Sequence, residues 1–257
     1  MIKILDKHII ELEFMKKYPS KISYIGNSDL LKKTKVSIIG TRKPNQYTKH
    51  FTYLLSQKLA SVGVCIVSGA AMGVDAIAHS GAGAANTISV VANGLDIRYP
   101  VVNKALIEAI EQEGLILSQF NNGFRATSWS FVVRNELVVA LGDILIVTEA
   151  DLNSGSMRSV EYALKMKKKI YVLPHRLGES EGTNELVKQG LANEIHNVDE
   201  FVSQFGTIAK ISDDPFLQFC SSNPTFDEAV LKYNQTVFEY ELDGKISIDN
   251  GRVGLIC

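Results

Sequence analysis

The chain has 257 residues, of which 46% are hydrophobic and 21% are charged, and its formal net charge is −1. These values are close to the averages of soluble globular proteins, and they exclude a disordered or fibrous chain. They also exclude a protein that coats nucleic acid through a general excess of Lys and Arg, so any nucleic-acid site must be a local patch. The length predicts one large domain with a small appendage.

The N-terminal segment and the cysteines indicate a protein of the reducing cytoplasm. Asp6, Lys7 and Glu11 interrupt the first apolar residues, which therefore lack the continuous apolar core of a signal peptide. The most apolar later stretch, residues 137–147, is shorter than the ~20 residues of a membrane span. The three cysteines are far apart and give neither a disulfide framework nor metal-binding spacing. We therefore expect a cytoplasmic protein without a membrane anchor.

Residues 1–34 are polar and mixed, and we interpret them as an N-terminal cap. From Lys35 onwards, short apolar runs alternate with amphipathic helical patterns as far as residue 205. This alternation is typical of an α/β domain with a parallel sheet covered by helices on both faces. The predicted strands are 35–40, 64–68, 87–92, 115–118, 143–148, 169–173 and 194–198, and the predicted helices are one ending at Gly63 and others over 73–81, 103–113, 130–141 and 156–168.

The remainder of the chain is predicted to form a linker and a small second domain. Residues 206–223 are polar and rich in turn formers, as expected of a linker. Two short helices followed by a hairpin at Asn250-Gly251 then indicate a small winged-helix-like domain over residues 224–257. The helices are predicted over 225–233 and 235–242, and the hairpin over 245–255.

Ligands of an open parallel sheet bind beyond the carboxyl ends of the strands, where loops expose N–H groups and helix N-termini favour anions. The first turn there, Gly40-Thr41-Arg42-Lys43, places two cations and a hydroxyl after a predicted strand. Phosphate is the partner that this chemistry indicates, and an ordinary solvated loop is the alternative.

The second turn, residues 68–75, combines small residues, which let a ligand approach the backbone, with an acidic residue at the start of a helix. It has neither the dinucleotide fingerprint nor the P-loop pattern, so an ordinary NAD or ATP site is not expected. Asp75 and His79 stand at metal-ligand spacing, but no third ligand is evident, and a helix cap and a packed pair are favoured over a metal. The candidate binding residues of this turn are Ser68, Gly69, Ala70, Gly73 and Asp75.

Two later segments complete the set of candidates. Trp129, Phe131 and Arg134 combine aromatic rings with a cation, as sites for single-stranded nucleic acid do, although one of the two rings is expected to pack in the core. A third small-residue loop offers hydroxyl and N–H groups to an anion at the start of the next predicted helix. The candidates from these segments are Phe131, Arg134, Asn135, Ser154, Gly155 and Ser156.

In their order and spacing, these segments resemble the DprA/Smf family of DNA-processing proteins over about residues 31–195. The resemblance implies an extended Rossmann-like fold, single-stranded DNA binding at the strand ends, a homodimer and delivery of RecA onto incoming DNA during natural transformation. It implies neither a cofactor nor catalysis. The segments that carry it are Gly40-Thr41-Arg42, Ser68 to Asp75 with Ala78-His79, Gly94-Leu95-Asp96 with Tyr99-Pro100 and Asn103, Phe131 with Arg134-Asn135, Ser154-Gly155-Ser156, and Gly182 to Leu186.

The resemblance also implies a role for each candidate. Arg42 and Lys43 would contact phosphates, and Phe131 would stack a base. The loops 68–73 and 154–156 would offer hydrogen-bond donors. Arg134 and Asn135 would shape the pocket.

This sequence departs from the family pattern at three positions. Glu136 replaces the second Arg of the usual Arg-Asn-Arg, and His175 follows Pro174 where the family has Gly. Ser128 stands where some relatives carry Lys, so DNA affinity is expected to be weaker or to depend on Arg125.

Two other functions use the same architecture. Nucleotide phosphoribohydrolases of the LOG type carry a catalytic Glu in a Pro-Gly-Gly-x-Gly-Thr-x-x-Glu loop. Here Ser159 falls at the position of that Glu, and Glu161 lies about 200° further around the helix, so its carboxylate is expected to point elsewhere. A sensor of a small nucleotide ligand, using the same pocket, is the other alternative.

Overall fold

The structure is a computed structural model that describes residues 2–206 and 214–255. The chain consists of two compact units, Met1–Phe205 and Gly206–Cys257. Among the described residues, the helices are too short or too polar to cross a membrane.

The first unit contains a mostly parallel sheet of nine strands in the order β1-β2-β6-β5-β4-β3-β7-β8-β9. All pairs from β3 to β9 are parallel, so the α/β fold class predicted from the sequence is confirmed. Because β3 lies between β4 and β7, the chain winds outward in both directions from it, as in a Rossmann-like sheet. The strands are β1 (Lys3–Ile4), β2 (Ser23–Gly26), β3 (Lys35–Ile39), β4 (Cys65–Ser68), β5 (Thr87–Val90), β6 (Leu115–Ser118), β7 (Ile144–Val147), β8 (Ile170–Val172) and β9 (Asn193–Glu194).

Helices cover both faces of this sheet, because successive side chains of a buried apolar strand point to opposite sides. In β3, Ile38 shares one core with Leu55 and Leu59, while Ile39 lies in the other core with Leu137. Each such buried side chain contributes about 1.5–3 kcal/mol to stability. The helices of this unit are α1 (Gln46–Ser61), α2 (Val74–Ala82), α3 (Lys104–Glu113), α4 (Ser128–Leu141), α5 (Gly155–Lys165), α6 (Glu181–Lys188) and α7 (Val198–Ser203).

The N-terminal residues are part of the sheet, which corrects their interpretation as a cap. β2 pairs antiparallel with β6, and β1 pairs antiparallel with β2. Leu12 and Leu30 are buried in the main core. The predicted parallel sheet therefore also has an antiparallel edge, which the sequence did not indicate because the pairing of β2 joins segments about ninety residues apart, and no local pattern reports such a pairing.

The last predicted strand of the domain, 194–198, is also corrected. β9 contains only Asn193 and Glu194, and α7 begins at Val198. The side chain of Asn197 accepts hydrogen bonds from the N–H groups of Asp199 (2.9 Å) and Glu200 (3.1 Å). This cap starts a helix where the apolar pattern indicated a strand.

The second unit has its own small apolar core, formed by Phe216, Cys220, Ala229, Val237, Ile246 and Val253. A helix, α8, lies inside the segment predicted as a linker, because Asp214 caps it by accepting from the N–H of Phe216 at 2.8 Å. Residues 207–213 of that predicted linker lie outside the described residues. The winged-helix-like assignment and the domain boundaries stay predictions. The elements are α8 (Pro215–Cys220), α9 (Phe226–Tyr233), α10 (Thr236–Leu242), β10 (Ile246–Asp249) and β11 (Arg252–Leu255).

Candidate nucleic-acid interface

An open pocket lies beyond the carboxyl ends of β4 and β5 and encloses about 340 Å³, including solvent at its mouth. The neighbouring crevice between β3 and β7 is bridged by the chain itself. There, the N–H of Thr41 donates to the carbonyl of Glu149 (2.8 Å), and the N–H of Asn45 donates to its carboxylate (3.1 Å). The pocket lining consists of Arg42, Gly69, Ala71, Met72, Ala92, Asn93, Tyr99, Pro100, Phe131 and Arg134.

Arg134 forms the floor of this pocket and is almost fully buried. Its Nη1 donates to the carbonyl oxygens of Gly69 and Val90, the latter at 2.8 Å, and its Nε donates to Oδ1 of Asn135 at 3.0 Å. The guanidinium therefore neutralises two carbonyl dipoles at the ends of β4 and β5. Burial lowers the pKa of Arg134, and the carboxylate of Asp75 acts in the opposite direction. The floor of the pocket is thus a fixed positive charge.

Asp75 holds the loop after β4. Its Oδ2 accepts from the N–H groups of Gly69 (3.1 Å) and Ala71 (3.4 Å). Burial raises the pKa of Asp75, while Arg134 and these two N–H groups lower it. Ser68 is fully buried, and its hydroxyl donates to the carbonyl of Ile38 at 2.7 Å. Several hydrogen-bond donors that the resemblance assigns to a ligand therefore already donate to oxygen atoms of the protein.

Glycine is required at two positions because the chain segments around the pocket approach closely. Gly73 begins α2 with φ of +79°, and a Cβ atom there would lie 2.5 Å from the carbonyl oxygen of Thr41. At Gly69, a Cβ atom would lie 2.0 Å from Nη1 of Arg134. These contacts bring the turn that carries Arg42 against the loop after β4.

Phe131, in the first turn of α4, joins the cations of the pocket. The guanidinium carbon of Arg42 lies 5.3 Å from the centre of the Phe131 ring, and that of Arg134 lies 5.8 Å away. Tyr99 is 46% exposed, and its ring centre is 6.2 Å from that of Phe131. Arg42 is exposed, so its charge faces solvent beside two aromatic rings. Such a surface can stack a base and bind the adjacent phosphate.

His79 belongs to the core beneath this pocket. It is fully buried, and neither ring nitrogen has a hydrogen-bond partner among the described residues. Burial lowers the pKa of His79 to about 3, so the ring is neutral at physiological pH. Within residues 2–206 and 214–255, no group of three His, Cys, Asp or Glu side chains is placed to hold a metal.

The structure brings some of the predicted residues together and leaves others outside the pocket. Arg42, Gly69, Phe131 and Arg134 share its lining. Asn135 accepts from Arg134, and the carbonyl of Ala70 accepts from Asn103 at 3.0 Å. The remaining candidates do not line it: Gly40, Thr41, Lys43, Ser68, Ala70, Gly73, Asp75, Asn135, Ser154, Gly155 and Ser156.

The pocket also contains residues that were not among the predicted binding residues. Met72 and Tyr99 form much of its apolar rim, and both are 46% exposed. The side chain of Asn93 donates to the carbonyls of Gly94 (2.9 Å) and Ile97 (2.6 Å) and so shapes the loop that carries Tyr99. Tyr99-Pro100 follows a predicted strand, and ligands of an open parallel sheet bind beyond the strand ends, so its position in the sequence could have indicated a place in the pocket.

Two of the departures from the family pattern have defined surroundings. Glu136 accepts from the N–H of Lys16 at 2.7 Å, and it does not line the pocket. Nε2 of His175 lies 2.7 Å from the carbonyl oxygen of Thr148, and its ring packs edge-on against Tyr47. Ser128 begins α4 and is exposed, as is Arg125.

The sequence model of DNA recombination-mediator protein A matches residues 5–206. Protein Smf of Synechocystis is 36% identical over 177 residues, which are 67% of this chain and 44% of Smf. DNA processing protein DprA of Streptococcus pneumoniae is 34% identical over 176 residues, which are 67% of this chain and 62% of that protein. The matched region therefore spans 44% and 62% of the length of these relatives.

Two solved structures are similar over most of the chain. DNA processing protein A from Helicobacter pylori, whose structure concerns its single-stranded DNA binding mode, matches with a TM-score of 0.78 and 43% identity over 79% of this chain and 94% of that chain. DprA of Streptococcus pneumoniae matches with a TM-score of 0.74 and 30% identity over 80% of this chain and 75% of that chain.

Proposed function

Because the chain belongs to the DNA recombination-mediator protein A family, we propose that it binds single-stranded DNA at the pocket beyond β4 and β5. The observation that carries this proposal is the position of Phe131 within 6 Å of the guanidinium groups of both Arg42 (5.3 Å) and Arg134 (5.8 Å), next to the ring of Tyr99. Base stacking on aromatic rings and phosphate contacts from cations are the two features of sites for single strands.

The same geometry favours a single strand over a duplex. A base reaches the ring of Phe131 or Tyr99 only when it is unstacked from its neighbours, and a duplex pays for that separation. Arg42 is exposed and makes no ion pair within the described residues, so its charge is available to a phosphate. The 43% identical relative from Helicobacter pylori, with its single-stranded DNA binding mode, supports the same ligand for this chain.

We propose binding rather than hydrolysis as the activity of this pocket. Glu161, the carboxylate nearest in sequence to the position of the LOG-type catalytic Glu, is exposed on α5 and does not line the pocket. Asp75 is buried and accepts hydrogen bonds from the N–H groups of two lining residues, Gly69 and Ala71, but it does not line the pocket itself. A general acid or base must lie within hydrogen-bond reach of the proton that it transfers, and neither group lines the pocket in which a substrate would bind.

The proposal extends to the role of the bound strand. A recombination mediator transfers single-stranded DNA to a recombinase, so we propose that this chain protects incoming DNA during natural transformation and loads RecA onto it. We propose a homodimer formed through the first unit as the active form. These two points depend on the family of the chain, and light scattering with and without RecA tests them.

The central experiment is a titration of labelled single-stranded and double-stranded oligonucleotides over a series of salt concentrations. We expect the single strand to bind more tightly, with an affinity that falls as salt rises by about 0.7 logarithmic units of affinity per logarithmic unit of salt for each phosphate contact. Arg42→Ala is expected to weaken binding to all sequences and to lower the slope by roughly one contact.

Lys169→Ala is the matched control, because it removes one exposed positive charge immediately before β8, at the opposite edge of the sheet. It should leave the slope unchanged. Equal affinity for duplex and single strand would contradict the proposed function, and an unchanged slope in Arg42→Ala would remove Arg42 from the site.

A further inference from the structure

Trp129, the one tryptophan of the sequence, is 63% exposed next to the proposed DNA site. It lies in the first turn of α4, two residues before Phe131. Its ring centre is 6.0 Å from that of Phe120, with the planes at 75°, and Phe120 in turn stacks on Phe124 at 4.7 Å. Most of the indole surface therefore faces solvent, although an apolar ring pair supports it from below.

The segment that carries Trp129 is held in place by hydrogen bonds. The hydroxyl of Thr127 accepts from the N–H of Ser130 at 3.2 Å, and the hydroxyl of Ser130 accepts from the N–H of Thr127 at 2.8 Å. This capping box fixes the start of α4. A ring that is ordered before binding loses little conformational entropy when a ligand stacks on it.

The loops beneath Trp129 and Tyr99 are also joined to each other. The N–H of Gly94 donates to the carbonyl of Phe124 at 2.9 Å, and both carboxylate oxygens of Asp96 accept from the N–H of Gly123 at 2.9 Å. One loop follows β5 and the other follows β6, so the two aromatic groups belong to one connected surface along the carboxyl edge of the sheet.

The strand order places the ends of β3, β4, β5 and β6 side by side. Arg42 follows β3, the pocket with Phe131 covers the ends of β4 and β5, and Phe120 lies two residues after β6. Arg125 is exposed between Phe124 and α4, and no ion pair involves it within the described residues. Arg42 therefore adjoins the aromatic group at the β3 side, and Arg125 belongs to the loop after β6 that carries Phe120 and Phe124.

We propose that Trp129 is a second base-stacking residue, and that the bound strand runs along the carboxyl edge of the sheet from β3 towards β6. This inference rests on the proposed single-stranded DNA binding and adds a direction and a second contact to it. Phe131 takes one base and Trp129 takes a neighbouring one. Arg125 neutralises a phosphate beyond Trp129, on the side where Ser128 contributes no charge.

The single tryptophan makes the test direct, because intrinsic tryptophan fluorescence reports on Trp129 alone. Titration of the full chain with an oligodeoxythymidylate of about 16 nucleotides, near the upper end of known site sizes, is expected to quench that fluorescence. In parallel, anisotropy of the labelled oligonucleotide measures affinity. Trp129→Ala is expected to weaken binding by about 5- to 150-fold, the range of one base–aromatic stack, whereas Trp129→Phe retains part of the affinity.

Phe14→Ala is the matched control, because Phe14 is also 63% exposed but lies in a groove with Lys167 and Lys169, by the amino end of β8. It should bind DNA as the unchanged protein does, and thermal melts confirm that all variants fold. If the unchanged protein binds DNA but Trp129→Ala binds equally tightly and the fluorescence stays constant, the inference is overturned and the proposed function stands. If the unchanged protein binds no single-stranded DNA, the proposed function fails, and this inference fails with it.

Discussion

The two units of this chain differ in charge, and we expect this difference to decide which of them binds DNA. Residues 1–205 contain 23 Lys and Arg residues against 20 Asp and Glu residues, whereas residues 206–257 contain four against eight. In the first unit, the exposed cation Arg42 lies beside the ring of Phe131, and the exposed Arg125 follows Phe124 in the sequence. In the second, α10 carries Glu239 and Glu241 and no basic residue. Phosphate contacts are therefore expected from the first unit.

The exposed apolar residues of the two units also differ, and those of the first unit are better suited to contact DNA. Around the pocket they are Met72, Tyr99 and Trp129, which are flat or flexible groups suited to bases. In the second unit they are Leu231, Phe238 and Leu242, of which Phe238 and Leu242 have acidic residues as neighbours in the sequence. The comparison teaches that a predicted winged-helix outline does not by itself indicate DNA binding, because affinity for DNA depends on the charges that the helices present.

The cores also differ, since the first unit buries charge beneath its pocket and the second buries apolar side chains and a thiol. Arg134→Met gives the largest expected effect. It leaves the carbonyls of Gly69 and Val90 without their donor and Asp75 without its compensating charge, so the free energy of unfolding is expected to fall by about 3–5 kcal/mol. Urea unfolding followed by circular dichroism measures the change.

The matched variant is Arg252→Met in the second unit, where the side chain is half-buried and its Nη1 donates to the carbonyl of Asn223 at 2.8 Å. Loss of one such bond from a charged donor is expected to cost about 1.5–3 kcal/mol. If the free energy of unfolding falls equally in the two variants, the buried charge of Arg134 contributes no more to stability than the half-buried charge of Arg252.

His79 gives the next largest effect, which depends on pH. Burial lowers its pKa from 6.5 to about 3 in the folded protein, so between these values the unfolded chain binds a proton that the folded chain does not. The contribution of His79 to stability is therefore complete above pH 6.5 and is lost as the pH falls. Near pH 5 the loss is expected to be about 2 kcal/mol.

His79→Leu removes the titrating group without breaking a described hydrogen bond, since neither ring nitrogen has a partner among the described residues. Urea unfolding at pH 7.5 and pH 5 should show a smaller acid loss in this variant than in the unchanged protein. His196→Leu, at an exposed histidine, is the control and should keep the full loss. An identical acid loss in His79→Leu would show that another group is responsible.

The sequence predicted elements well where the signal is local. The predicted strand 115–118 coincides with β6, and the helix predicted over 225–233 matches α9 to within one residue. A run of β-branched or apolar residues, or a cap such as Thr225, acts within a few positions, so reading along the chain detects it. The pairing of β2 with β6 joins distant segments, and neither its presence nor its direction is visible locally.

For the site, the sequence indicated which residue types could bind a nucleic acid, but it did not indicate how these residues are buried or hydrogen-bonded. Arg42, Phe131 and Arg134 were predicted as partners, and all three line the pocket. The burial of Arg134 and the internal bonds of Asp75 follow from tertiary packing, which residue types alone do not report. Met72 and Tyr99 carry no reactive group, so only their position on the rim marks them.

The smallest expected effect comes from removing the second unit altogether. A protein that ends at Gly206 loses α8 to α10 and the hairpin, but keeps every residue that lines the pocket. The two units have separate apolar cores, so the first is expected to fold without the second.

A helix that enters a DNA groove needs Lys and Arg to meet phosphates, because that electrostatic attraction supplies most non-specific affinity. The acidic residues of α9 and α10, Asp227, Glu228, Glu239 and Glu241, repel phosphates instead. The truncated protein should therefore bind single-stranded DNA within about tenfold of the full chain, or roughly 1.4 kcal/mol, and should form the same proposed dimer by light scattering. A larger loss of affinity with the dimer intact would mean that the second unit contacts DNA despite its charge.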